Sequence, residues 1–113
     1  MDVPRIRVAY VSANFRDHPL GYLMAGLFER HDRSRFEVVA FSLGRSDGSA
    51  MRARLERAFE RFIDACAYSD DQVVAQIQAT QIDIVVDLDG FTSGARPGIF
   101  ARRPAPLQVH YLG

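Results

Sequence analysis

Read as apolar and polar positions, the chain falls into five short strand-like runs separated by four stretches with helical spacing. The strand-like runs are Arg5–Ser12, Phe36–Leu43, Phe62–Cys66, Ile82–Gly90 and Pro106–Leu112. The fourth run, I-D-I-V-V-D-L-D-G, organises the rest. Its β-branched centre suits a strand buried on both faces of a parallel sheet. It ends in Asp87, Asp89 and Gly90 and opens into the loop F-T-S-G-A-R-P.

The helical stretches carry their own signals. Leu20, Leu23, Met24, Leu27 and Phe28 follow an i, i+3, i+4, i+7, i+8 pattern, with Pro19 suited to the first helical position. These apolar residues are predicted to form a core face, and His31 suits the negative end of that helix. Met51, Leu55, Ala58 and Phe59 mark a second helix, whose interleaved arginines and glutamates read as a solvated face. Ser69-x-x-Gln72 is a capping box, with Asp70 and Asp71 in the first turn of a helix running to about Thr80. Pro97–Arg102 predicts a short helix stopped by Pro104.

Strict alternation of strand and helix implies parallel strands joined by right-handed crossovers. The predicted class is α/β, a three-layer parallel sheet with five strands in the order 3-2-1-4-5. That order sets strands one and four side by side at the switch point, where open sheets of this kind bind ligands beyond the carboxyl strand ends. The Ser12–Pro19 and Asp87–Arg96 loops then face each other across one crevice. Handedness puts the first two helices on one face and the last two on the other. The first face is left uncovered beside strand five, so the expectation is an unfinished lobe.

Composition narrows the chemistry. The chain has 113 residues, 48% apolar and 25% charged, as expected of one folded domain. Its 14 basic residues are all arginine, balance 14 acidic ones and form no block. That leaves no footprint for nucleic acid or an anionic membrane, and it excludes a phosphate-loop or Schiff-base lysine. Cys66 stands alone, which excludes an intrachain disulfide and a cysteine metal cluster, and it is expected to be a small buried hydrophobe. No stretch has signal-peptide character or transmembrane length, so a cytoplasmic location is expected.

His18 is the sharpest chemical candidate. It directly precedes the helix-opening Pro19 on the ligand side of the sheet. The positive end of a helix favours the neutral imidazole, which can accept a proton; the residue fits a helix cap equally well. Asp87 and Asp89, two apart, point the same way on an ideal strand. They can bind sugar hydroxyls, order a neighbouring loop or cap the backbone of their own loop. Gly90, Gly94 and Gly98 match neither G-x-G-x-x-G nor a phosphate loop. His110, on the last strand, is read as non-catalytic. A receiver-like signalling domain would need an acidic pair after strand one and a lysine after strand five. A flavodoxin-like module would need a phosphate-binding loop where the bulky S-A-N-F-R-D-H-P stands.

Two long strings resemble a known family. Y-V-S-A-N-F-R-D-H-P-L-G-Y-L-M and D-L-D-G-F-T-S-G-A-R-P-G-I-F-A-R-R-P-A-P-L-Q-V-H-Y-L-G resemble the O-GlcNAc transferases, bacterial members most nearly and the SPINDLY proteins too. R-F-E-V-V-A-F-S-L and S-D-G fit more loosely, in register. The resemblance covers nearly the whole chain and is most specific at R-P-A-P-L-Q-V-H-Y-L-G.

It implies residues 1–113 as part of the N-terminal Rossmann-like lobe of a two-lobed, B-type glycosyltransferase. The implied enzyme is inverting, needs neither metal nor cofactor, and moves a sugar, N-acetylglucosamine by family, from a UDP-sugar to Ser or Thr of an acceptor protein. The family places a helical-repeat array of the tetratricopeptide type upstream and most UDP contacts in a second lobe, so this chain alone is expected to be inactive. His18 matches the active-site histidine, implying a general base beside the donor sugar. Asp87, Asp89, Gly90, Phe91 and Thr92 match a segment lining that cleft and are implied to bind substrate. A non-catalytic α/β lobe kept for binding or assembly is the alternative.

Overall fold

The computed structural model describes residues 5–16, 19–30, 32–89 and 96–110. Its elements follow the expected order: β1 Ile6–Ser12, α1 Pro19–Glu29, β2 Phe36–Ser42, α2 Ala50–Ala58, β3 Arg61–Asp64, α3 Asp70–Ala79, β4 Ile84–Asp87, α4 Pro97–Ala101 and β5 Leu107–His110. All four strand pairings are parallel, in the spatial order β3-β2-β1-β4-β5. Strands β1 and β4 are neighbours, with Val8 opposite Ile84 and Val11 opposite Asp87. The switch point therefore falls where the sequence pattern puts it.

Side-chain alternation splits the interior into two layers. Val8, Tyr10, Val38, Ala40 and Val86 face α1 and α2, packing with Ala25, Phe28, Met51, Leu55 and Ala58. Ala9, Val11, Val39, Phe41 and Val85 face α3 and α4, packing with Val73, Val74, Ile77, Ile99 and Phe100. On the α1–α2 side, Tyr10, Phe15, Phe28, Phe59 and Phe62 form an aromatic cluster. Tilted and edge-on arrangements of this kind add to the area the rings bury.

Caps fix where two helices start. Ser49 Oγ accepts the Arg52 amide at the start of α2. At α3, Gln72 Oε1 accepts the Ser69 amide while Ser69 Oγ accepts that of Gln72, completing the capping box. An Arg96–Asp70 ion pair at 2.7 Å ties the start of α3 to that of α4.

Four expectations shift. β3 begins and ends earlier than Phe62–Cys66, and Cys66 is only half-buried because it follows the strand in a turn. Leu27 is exposed while Gly21, Ala25 and Phe28 are buried; the side chains of Leu20, Leu23 and Met24 lie outside the described ones. In β5, Leu107 and Val109 lie beside Ile84 and Val86 on the α1–α2 face and stay exposed at 53% and 39%, as the helix order predicts for that face. Arg52, assigned to a solvated helix face, is 3% exposed. His31 lies outside the described residues.

Candidate active site

The carboxyl ends of β1 and β4 meet through Asp89. This side chain is 2% exposed, and both its oxygens accept hydrogen bonds from the end of β1 and the loop beyond. Oδ1 accepts from Ser12 Oγ at 2.6 Å and Asn14 Nδ2 at 3.1 Å; Oδ2 accepts from the Ala13 amide at 2.7 Å. Ser12 Oγ in turn accepts the Asn14 amide at 2.9 Å. A buried carboxylate needs such compensation, because charged hydrogen bonds offset its desolvation. Asp89 thus orders a neighbouring loop, one of the roles open to it from the sequence.

The same loop is gripped from the other side by Arg52 on α2. Its Nη1 donates to the Phe15 carbonyl and to Ser42 Oγ, both at 3.0 Å, and its Nε donates to Glu56 at 2.9 Å. The guanidinium lies 4.6 Å from the Phe62 ring centroid, a cation–π contact. Two glycines let the backbone close up around this loop. A Cβ on Gly44 would collide with the Ala13 carbonyl oxygen, and one on Gly21 with that of Arg16. Residues 13–16, which lead to His18 two positions on, are thus held by β4, α2 and two close backbone approaches.

Beside the loop lies a cleft of about 400 Å³ lined by Ala13, Asn14, Arg16, Gly44, Arg45, Ser46 and Asp47. Arg16 donates to Asn14 Oδ1 at 3.2 Å and so shares the network that Asp89 anchors.

Asp87 does something different. It is 6% exposed; its Oδ1 accepts the Asp89 amide at 3.0 Å, and its Oδ2 lies 3.0 Å from His110 Nδ1 on β5. The two carboxylates therefore diverge, one toward β1 and one toward β5, instead of pointing the same way. Strand pairing stops at Asp87, so alternation no longer governs Asp89. His110, read as non-catalytic, stands in register with Asp87 at the ligand end of the sheet.

His18, Gly90, Phe91 and Thr92 lie outside the described residues, as does Gly94. Ser12, Asn14 and Arg52 are what the sequence reading missed. A Ser and an Asn just past a strand end offered a signal; Arg52 offered none beyond its place near an N-cap. Among the described residues, no three His, Cys, Asp or Glu side chains group so as to hold a metal ion. No helix of the described residues is long and apolar enough to cross a membrane.

The arrangement has close relatives. It superposes on a mutant of the Thermobaculum terrenum O-GlcNAc transferase with a TM-score of 0.90 and 39% identity, over 96% of this chain and 21% of that one. The class is therefore a Rossmann-like half of a B-type glycosyltransferase. Residues 1–113 match Glycosyl transferase family 41, and the chain belongs to that family.

Among its relatives is the probable UDP-N-acetylglucosamine–peptide N-acetylglucosaminyltransferase SEC of Arabidopsis thaliana. It is 41% identical over 109 residues, covering 96% of this chain and 11% of that protein. The corresponding transferase of Caenorhabditis elegans is 40% identical over 96% of this chain and 10% of its own length. The Arabidopsis SPINDLY protein is 28% identical over 112 residues, 96% of this chain and 12% of its own length. The chain thus spans about a tenth of the curated relatives it matches.

Proposed function

We propose that this chain forms one wall of a cleft in which N-acetylglucosamine passes from UDP-N-acetylglucosamine to a Ser or Thr hydroxyl of a peptide or protein. The observation that carries this reading is the rigid loop at the β1–β4 switch point. It is built on Asp89 and Arg52 and runs directly to His18 and α1. Relatives that are UDP-N-acetylglucosamine–peptide N-acetylglucosaminyltransferases by name supply the donor and acceptor. In this reading the chain is part of the N-terminal lobe, helical repeats precede it, and a second lobe supplies most UDP contacts. No metal or cofactor is required.

The chemistry needs an acceptor hydroxyl aligned behind the anomeric carbon, opposite the departing UDP. As the new C–O bond forms and the bond to the diphosphate breaks, inverting the anomeric centre, the hydroxyl proton must leave. His18, one residue before α1, is assigned that proton. A helix N-terminus disfavours imidazolium, keeping the ring neutral and able to accept it. The 2.6–3.1 Å bonds on Asp89 fix the loop in advance, so less orientational entropy is lost when substrates align. Gly90, Phe91 and Thr92, directly after Asp89 in the chain, are assigned to substrate contacts. Asp87 and Asp89 are assigned to the same substrate-binding site.

Mass spectrometry of a Ser/Thr peptide incubated with UDP-N-acetylglucosamine tests this. The full-length protein carrying this chain is expected to add one N-acetylhexosamine to the peptide and release UDP in step; residues 1–113 alone should add none. A folded full-length protein that transfers nothing refutes the transferase reading. Transfer by the 113 residues alone refutes the two-lobed one.

A further inference from the structure

Asp87 and His110 form a pair that the loop-ordering role of Asp89 does not explain. They are direct partners across the β4–β5 ladder, at the last paired position before the ligand end of the sheet. Asp87 Oδ2 and His110 Nδ1 are 3.0 Å apart. The aspartate side chain is 8% exposed and the histidine 57%, so the pair runs from the buried sheet end out to the surface. Phe100 of α4 meets the imidazole edge-on, with ring centroids 5.8 Å apart. Two contacts thus fix an exposed ring that could otherwise rotate freely.

The contact with Asp87 decides the tautomer. An ionised carboxylate only accepts, so a neutral His110 must carry its proton on Nδ1 and donate it to Asp87. The lone pair then resides on Nε2, across the ring, which has no partner among the described residues. A carboxylate orienting an imidazole in this way is the arrangement that prepares a nitrogen to accept from a substrate.

The geometry points to His110 as a substrate contact whose Nε2 accepts a hydrogen bond from a hydroxyl, with Asp87 as its positioning residue. This rests on the transferase reading, which provides two hydroxyl sources: the donor sugar and the acceptor Ser or Thr.

Steady-state kinetics of the full-length protein separate the sources. His110→Phe keeps a ring against Phe100 and removes the acceptor nitrogen. It is expected to raise KM about 10-fold for the substrate whose hydroxyl is bound and to leave the other KM unchanged. Asp87→Asn retains an oxygen for the Asp89 amide but offers Nδ1 a donor, which forces the proton onto Nε2. The same KM should rise.

Nitrogen-15 correlation spectra of the same protein, labelled at histidine, read the tautomer without any turnover. Wild type should show His110 protonated at Nδ1, with an Nε2 resonance that moves on adding UDP-N-acetylglucosamine or peptide. Unchanged KM for both substrates in His110→Phe overturns the proposal, even if its melting temperature falls. So does a proton on Nε2, or an Nε2 resonance that neither substrate moves. Failure of the transferase reading looks different: wild type transfers nothing, and the tautomer and titration still decide whether His110 offers an acceptor.

Discussion

Cys66 shows how one residue's chemistry escapes the sequence. A lone cysteine in an apolar chain reads as a core filler, yet it follows β3 in a turn, half-buried and hydrogen-bonded to Asp64. The Asp64 carboxylate accepts the Cys66 amide at 3.2 Å, and that bond, with the thiol's own, holds the acid below its ordinary range. The thiol's hydrogen bond to Asp64 favours its protonated form and pushes its pKa up, with burial adding to the shift. Since the thiolate is the nucleophile, the folded chain should alkylate more slowly than the unfolded chain at mildly alkaline pH. Its rate–pH midpoint should also lie higher. Asp64→Asn should bring the folded midpoint back toward the unfolded one. Iodoacetamide rates across pH in native and urea-unfolded protein check this, and coincident midpoints would contradict it.

Among the elements, α2 departs furthest from its pattern. Met51, Leu55, Ala58 and Phe59 are buried as their spacing predicts, but Arg52 leaves the solvated face and enters the space between β2 and the β1–α1 loop. Helical periodicity reports a residue's angle about its own axis; it does not report which loop a neighbouring element brings alongside. Arg52→Met should leave the Phe15 carbonyl and Ser42 hydroxyl without this donor at a buried site, costing about 2–3 kcal/mol. Arg52→Lys should recover only part of that, because an ammonium cannot reproduce the planar fork. Urea unfolding of the three proteins measures it. A midpoint for Arg52→Met equal to wild type would show that the guanidinium does not hold the loop. The carboxylates at the end of β4 were partly legible. Their place beside β1 follows from strand order, whereas their divergence depends on where pairing stops, which composition does not encode.

At the scale of the whole molecule, strand order, layering and the β1–β4 switch point were legible because local patterns agree with one another. Alternating elements, crossover handedness and a buried fourth strand all demand the same sheet. Contacts made across the sheet were not legible. Ser12 and Asp89 are 77 positions apart, and the Asp87–His110 pair depends on a β4–β5 register that a one-residue slip would abolish. The central proposal is that the loop locked by Asp89 and Arg52 leads to His18 as the general base of a family 41 transferase. The direct measurement is turnover of the full-length protein with His18→Ala, at saturating UDP-N-acetylglucosamine and peptide, alongside its melting temperature. The account predicts turnover about 10²–10⁴-fold below wild type with melting unchanged. Turnover within a few-fold of wild type in an equally stable protein would contradict it.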